Sequence, residues 1–289
     1  MKFKFIGLSI LFLSCSVLAT EKPITVLTVG DIAYCERDKE IGVKSVSNLV
    51  SKNNFDFFFP LGDLVYEEGT QKKLEKCYGK YFGKIKNKTF PTVGNHEYYA
   101  DKATPYFEYF ANNQDLVKKQ EQNSYHQITN GFYNYYSFNK NNWSFIFLDT
   151  NLENEDNREQ IIWLENILKN KKTCTIISMH HPYISSGLRP IKSSVKELMK
   201  VINKSPPTII LSGHDHHFQE SKMINKTKHF VVGTGGVPIS NKVNPFNLDV
   251  KNSYFDFGIL KLELYNNSYS YSFVTQQQKL FSSSNQCEE

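Results

Sequence analysis

Residues 57–66 read FFFPLGDLVY. An apolar run of this length, ending in glycine, predicts a buried strand. Gly62 lets the chain turn as it leaves the sheet. Asp63 then stands at the strand's carboxyl end, the edge where open α/β sheets bind their ligands. A Gly-Asp turn on its own is common, so its meaning depends on what the neighbouring strand ends deliver.

Upstream, Ile24–Val29 (ITVLTV) is a second apolar β-branched run, closed by Gly30-Asp31. Between the two runs, residues 38–52 place Ile41, Val43, Val46, Leu49 and Val50 on one helical face. Strand, helix, strand makes a βαβ unit and a parallel pair. Downstream, residues 71–81 and 103–110 predict short helices, separated by the apolar stretch 90–93 and Gly94-Asn95-His96-Glu97. Residues 111–131 are polar and aperiodic, and read as a surface loop or insertion. Residues 133–138 and 143–149 form a hairpin signal. A helix over 156–170 precedes an apolar strand at 173–179 that ends in His180-His181-Pro182. A helix over 193–203 precedes a strand at 208–211 that runs into Gly213-His214-Asp215-His216-His217. Residues 230–232 lead into the turn Gly233-Thr234-Gly235-Gly236. Residues 254–274 read as antiparallel strands turning at Asn266-Asn267, and the tail beyond Gln276 is polar. No repeat or linker divides residues 20–289, which read as one domain.

Five strand ends thus carry polar groups of one chemical kind: Asp31, Asp63 with Tyr66, Asn95 with His96, His180, and His214 with His216. Each has a bland reading as a turn, a helix cap or a core histidine. Their coincidence at successive strand ends points instead to metal. Carboxylate, imidazole, amide oxygen and phenolate suit Zn, Fe or Mn. The set exceeds the needs of one ion and suffices for two sharing a carboxylate, an arrangement that clamps in-line displacement at phosphorus.

Composition agrees with a soluble globular protein that has a sizeable core. The 289 residues are 40% hydrophobic and 22% charged, with a formal net charge of +5. The lysines are scattered, so nucleic acid is not an obligatory partner. Lys2 and Lys4 precede an apolar run at residues 5–13, too short to span a bilayer, and then small residues. This predicts a signal peptide over residues 1–19, cleaved after Ala19. The rival is a lipoprotein anchored through Cys15. Either way the protein is exported, periplasmic or secreted. Cys35, Cys77, Cys174 and Cys287 remain, an even number that predicts two disulfides. Cys35 and Cys77 each follow a site loop and make plausible mates, leaving Cys174 for Cys287. Three connectivities stay open to the sequence alone. Asn87, Asn142, Asn225 and Asn266 head Asn-x-Ser/Thr triplets.

Gly30-Asp31, Gly62-Asp63-x-x-Tyr66, Gly94-Asn95-His96-Glu97, His180 and Gly213-His214-x-His216 resemble, in order, the motifs of the calcineurin-like metallophosphoesterases. Tyr66, three residues after the second aspartate, resembles the purple acid phosphatase branch. GDIAYC, HHPYISSG and FVVGTGG look like its secreted bacterial members. The resemblance implies an α/β fold, a four-layer α/β/β/α sandwich of two mixed sheets with metals at the strand carboxyl ends. It implies that Asp31, Asp63, Tyr66 and His216 hold one ion. Asp63, Asn95, His180 and His214 would hold the other, with Asp63 bridging. Fe paired with Zn, Mn or Fe is implied, with Tyr66 favouring Fe(III). His96 would serve near the phosphate, with Glu97 or a nearby carboxylate orienting it. The implied reaction is hydrolysis of a small phosphate monoester by a metal-held hydroxide attacking in line. A phosphodiesterase acting on nucleotides, cyclic nucleotides or lipid head groups is the alternative enzyme, and a silent binding protein the alternative class. Plant members carry extra histidines after the His180 motif. Residues 183–190 have none here, so His181 or Arg189 is expected at the phosphate. Arg suits it through its bidentate fork. His217 and His229 are expected at the surface or behind the site.

Overall fold

A computed structural model describes residues 22–36, 40–111, 128–129, 132–244, 246–277 and 279–287. The expected signal peptide over residues 1–19, Cys15 within it, and nearly all of the 111–131 segment lie outside the described residues. The strands are β1 (Ile24–Val29), β2 (Phe57–Pro60), β3 (Ile128–Thr129), β4 (Phe132–Tyr133), β5 (Tyr136–Lys140), β6 (Trp143–Leu148) and β7 (Cys174–Met179). They continue with β8 (Ile209–Ser212), β9 (Phe218–Ile224), β10 (Thr227–Val232), β11 (Val250–Tyr254), β12 (Gly258–Leu264), β13 (Ser268–Thr275) and β14 (Lys279–Gln286). Two mixed sheets result, ordered β14-β13-β12-β1-β2 and β11-β9-β10-β8-β7-β6-β5. The strands that feed the site run parallel: β1 beside β2, and β6, β7, β8 and β10 in succession.

The sheets pack face to face through aromatic side chains. Phe57 and Phe59 of β2 meet Phe145 of β6 edge-on, at 5.7 and 5.6 Å between ring centres. Phe218 of β9 stacks on Phe273 of β13 at 4.1 Å. Alternation along β6 shows why the run is apolar throughout. Phe145 and Phe147 join the core between the sheets, while Ile146 and Leu148 join a second core on the opposite face. A strand buried on both faces needs no polar positions. The second core is capped by the helices Asn154–Lys169 and Ser193–Ile202, which contribute Trp163, Leu164, Val195 and Leu198. Ile41–Lys52 packs through Val43, Val46, Leu49 and Val50 on the outer face of the first sheet. The four-layer α/β/β/α sandwich follows.

Several details differ from the sequence reading. Residues 90–93 run beside β2 with only isolated bridges, Phe58 to Thr89 and Leu61 to Thr92. Pro91 has no N–H to extend that ladder. The helix at 71–82 contains a π turn over Leu74–Tyr78 that carries Cys77. Four strands were not foreseen, β3, β9, β11 and β14; the polar tail forms the edge strand β14, paired with β13. Both disulfides are present, Cys35–Cys77 and Cys174–Cys287, with Cα atoms 5.8 and 5.3 Å apart. The second ties the end of β14 to the start of β7. Among the described residues no helix is long and apolar enough to cross a membrane.

Candidate metal centre

The carboxyl ends of β1 and β2 in one sheet meet those of β7 and β8 in the other. Backbone bonds sew this seam where β10 ends against β1: Gly30 N–H donates to Val232 at 2.8 Å, and Gly235 N–H to Gly30 at 2.9 Å. Immediately past the strands the chain enters left-handed backbone at Asp31 (φ 59°), Asp63 (φ 50°) and His214 (φ 69°). Such conformations cost energy in non-glycine residues and gather at functional sites. Here they swing three side chains off the sheet edge into one cluster. Gly62 (φ 83°) makes the turn before Asp63, and a Cβ on Gly94 would lie 2.2 Å from Asp63 Oδ1. The glycines of both motifs are therefore dictated by the close approach of the loops.

The structure brings all seven expected metal-site residues together. Tyr66 Oη donates within 2.8 Å of both Asp31 Oδ1 and Asp63 Oδ2, and lies 3.3 Å from His216 Nε2. His216 Nε2 is 3.4 Å from Asp31 Oδ1. On the other side, His180 Nε2 lies 3.3 Å from Asp63 Oδ2, 3.1 Å from Asn95 Oδ1 and 3.3 Å from His214 Nδ1. Two donor groups thus share one atom, Asp63 Oδ2. Donors bound at about 2.0–2.2 Å around a cation stand about 3 Å from one another. The observed spacings are of that size. His180 turns Nε2 inward because its Nδ1–H donates to the Leu61 carbonyl at 2.7 Å, the usual arrangement behind a ligating imidazole.

Electrostatics also fits a cation. Asp31 and Asp63 are buried, and among the described residues their ion pairs are to histidines alone. Burial opposes ionisation of Asp63, but the charge and hydrogen bond of His180 outweigh it and hold the carboxyl low. Asp31 is likewise held low, by His216 against its burial. His180 is pushed up to about 9, with burial overcome by Asp63. Burial, then His180 and Arg189, push His214 down to about 3, leaving its ring neutral with a lone pair to give. Burial and the two carboxylates keep the Tyr66 phenol protonated. Phenolate ligation therefore needs the charge of a strongly acidic cation.

The residues around the cluster are held by contacts that the sequence did not announce. Glu97 does not orient His96. Its buried carboxylate accepts the N–H groups of Asp63 (2.9 Å), Leu64 (2.8 Å) and Gly94 (2.8 Å), clamping the loops that carry Asp63 and Asn95. Burial and the Asp63 charge push Glu97 up to about 8, and its backbone hydrogen bonds pull the other way. His96 is set by a backbone carbonyl, that of Glu67, which receives its Nδ1–H. Its Nε2 then faces Asp63 Oδ2 at 3.8 Å. His181 lies against His214, ring centres 4.4 Å apart, with Nδ1 2.7 Å from Thr150 Oγ1. Arg189 is exposed beside the cluster and donates to the His214 carbonyl. His217 and His229 are both buried, not at the surface; His217 Nε2 sits 3.4 Å from Ser186 Oγ.

Asp149, at the carboxyl end of β6, is a buried acid that sequence reasoning passed over as the end of a strand. Tyr98 donates to its Oδ2 and Asn151 N–H to its Oδ1. Burial dominates and pushes its carboxyl up to about 6. A folded-state value above the unfolded one adds stability that is complete below about pH 4 and lost as pH rises through about 6. Asp149→Asn is expected to remove roughly 2–3 kcal/mol of that pH dependence. Urea unfolding of both proteins at pH 4.5 and 7 checks it, and parallel slopes against pH would show Asp149 to be inert.

Residues 24–218 match the calcineurin-like phosphoesterase family. The chain belongs to that family, which makes it a metal-dependent phosphoric ester hydrolase. No curated protein matches it significantly. Among solved structures, purple acid phosphatase PPD1 from yellow lupin (Lupinus luteus) seeds superposes with a TM-score of 0.68 at 19% identity. That match covers 91% of this chain and 53% of the lupin chain, so this chain spans about half of the plant protein. GAP50, the anchor in the inner membrane complex of Plasmodium, gives 0.68 at 16% identity over 93% of this chain and 90% of that one. A dimetal phosphatase from Danio rerio gives 0.59 at 11%, over 93% and 100%. At these identities the likeness is one of fold. Family and cluster together indicate a dinuclear metal centre.

Proposed function

We propose that the chain is an exported phosphomonoesterase. Asp31, Asp63, Tyr66 and His216 hold one cation, and Asp63, Asn95, His180 and His214 hold the second. The observation that carries this reading is Asp63 Oδ2, 2.8 Å from Tyr66 Oη and 3.3 Å from His180 Nε2, a donor to both groups at once. When bound, the cations supply Lewis acidity toward phosphoryl oxygens and bring the pKa of water toward about 7. Iron in the Tyr66 site with zinc, manganese or iron beside it suits the donors.

The chain's own groups supply the rest. His96 keeps its Nδ1 proton on the Glu67 carbonyl, so Nε2 is the atom that exchanges a proton with substrate. In its doubly protonated form it donates from Nε2 to the departing alcohol oxygen. A monoester has one alcohol oxygen to protonate and leaves its other oxygens to cations and donors. Arg189 spends one N–H on His214 and has further N–H groups to offer a phosphoryl oxygen. His181, pressed down in basicity by burial and by His180, stays neutral and offers a hydrogen bond rather than a charge. The two disulfides suit an oxidising compartment, and support export behind the signal peptide at residues 1–19.

The test is turnover of p-nitrophenyl phosphate and bis-p-nitrophenyl phosphate by metal-reconstituted protein between pH 4 and 9. Monoester turnover exceeding diester turnover is the expected result. Turnover of the diester alone would make the protein a phosphodiesterase.

A further inference from the structure

Tyr99 follows the short helix Asn95–Tyr98 that carries a metal-site amide and His96. Its side chain is engaged at both ends. Asn95 donates Nδ2–H to Tyr99 Oη at 3.0 Å, which leaves Asn95 Oδ1 turned toward His180 Nε2. The Tyr99 ring stands 4.9 Å from the His96 ring, inclined at 64°. His96 in turn lies 4.1 Å from the Tyr66 ring. Three rings therefore lead outward from the shared carboxylate: Tyr66, then His96, then Tyr99. Tyr66 is 4% exposed, whereas Tyr99 is 60% exposed.

A single exposed aromatic side chain is ordinary. What sets Tyr99 apart is that it is fixed and adjoins the residue assigned to the departing oxygen. His96 Nε2 faces Asp63 while its ring adjoins Tyr99, so with the phosphate on the Asp63 side, as the hydrolase reading has it, an alcohol leaving past His96 would meet Tyr99. An anchored, solvent-facing ring there offers a stacking surface whose entropy of ordering has been met in advance.

We propose that Tyr99 is the leaving-group platform of the site, and that it selects phosphate esters whose alcohol carries a flat aromatic ring. This rests on the hydrolase reading above for where the phosphate sits. Stacking of one ring is worth about a tenfold preference. Through Asn95, Tyr99 is also a positioning residue, and the two roles separate by substitution. Tyr99→Phe keeps the ring and removes the acceptor for Asn95. Tyr99→Ala removes both.

The experiment compares phenyl phosphate with β-glycerophosphate as substrates. In parallel, calorimetry measures phenylphosphonate and methylphosphonate binding to the metal-loaded protein. The wild type is expected to favour the phenyl compound in both assays. Tyr99→Phe is expected to lower kcat for both substrates by a similar factor and to keep the phenyl preference. Tyr99→Ala is expected to reduce that preference about tenfold, through KM and through phosphonate affinity. An unchanged phenyl-to-alkyl ratio in Tyr99→Ala overturns the platform, whatever happens to kcat. If the metal-loaded wild type turns over neither substrate, the hydrolase reading fails. The phosphonate pair then still decides the platform on its own.

Discussion

Asp63→Asn is expected to lower kcat for a phosphate monoester about a thousandfold or more, equivalent to about 4 kcal/mol of barrier. The substitution is nearly isosteric. An asparagine can still accept the His96 N–H that Asp63 Oδ1 accepts at 2.9 Å, so the loop keeps its shape. What is lost is the charge on Oδ2, the atom common to both donor groups. With the amide oxygen kept at the Oδ1 position, an NH2 group that cannot bridge two cations stands where Oδ2 was. Bound metal is therefore expected to fall together with kcat while the far-ultraviolet circular dichroism is unchanged. Retained turnover at full metal occupancy would show that the carboxylate does not bridge.

Glu97→Ala is expected to be the most damaging change at a residue that holds no metal. Three buried N–H groups, those of Asp63, Leu64 and Gly94, lose their acceptor together. Each unmet donor costs about 1–3 kcal/mol, and solvent entering the space recovers part of it, so a loss of about 4 kcal/mol is expected. Glu97→Gln fares better but not well, because its amide turns a donor toward donors. Both variants are expected to bind metal poorly, since the loops bearing Asp63 and Asn95 lose their common clamp. Urea unfolding with metal titration measures both effects. A stability loss under about 1 kcal/mol would mean that water replaces the carboxylate fully.

The site was largely legible in the chain because its ligands are local events. Asp31, Asp63, His180 and His214 each stand one to three positions beyond an apolar strand, and all but His180 stand beside a glycine that the close approach of the loops requires. Glu97 was visible as part of the same motif, but its role was not. Its partners are backbone amides from two loops, and amides leave no mark on a sequence. Arg189 illustrates a related limit: its contact is the His214 carbonyl, which any residue at 214 would present.

The fold was legible where strands are buried on both faces, as in β1, β2, β6, β7 and β8. It failed most plainly at β9 and β14. FQESKMI mixes a core phenylalanine with Glu220, a buried acid satisfied by Lys228, Asn252 and Tyr271. That polar network hides the alternation that would announce a strand. In β14, KLFSSSNQ is an edge strand of small polar residues, held by pairing with β13 on one side and by the Cys174–Cys287 bridge at its end. Tertiary partners, more than local propensity, specify both.

Tyr66 and Asp63 lie three residues apart in FFFPLGDLVY and end on one oxygen-to-oxygen contact of 2.8 Å. The central claim is that this contact belongs to a pair of cations. The direct test is the metal content of fully active protein, counted per chain by mass spectrometry after exhaustive dialysis. Two metal equivalents per chain, falling in Asp63→Asn together with turnover, is the predicted result. Full activity with one equivalent or none would contradict the account.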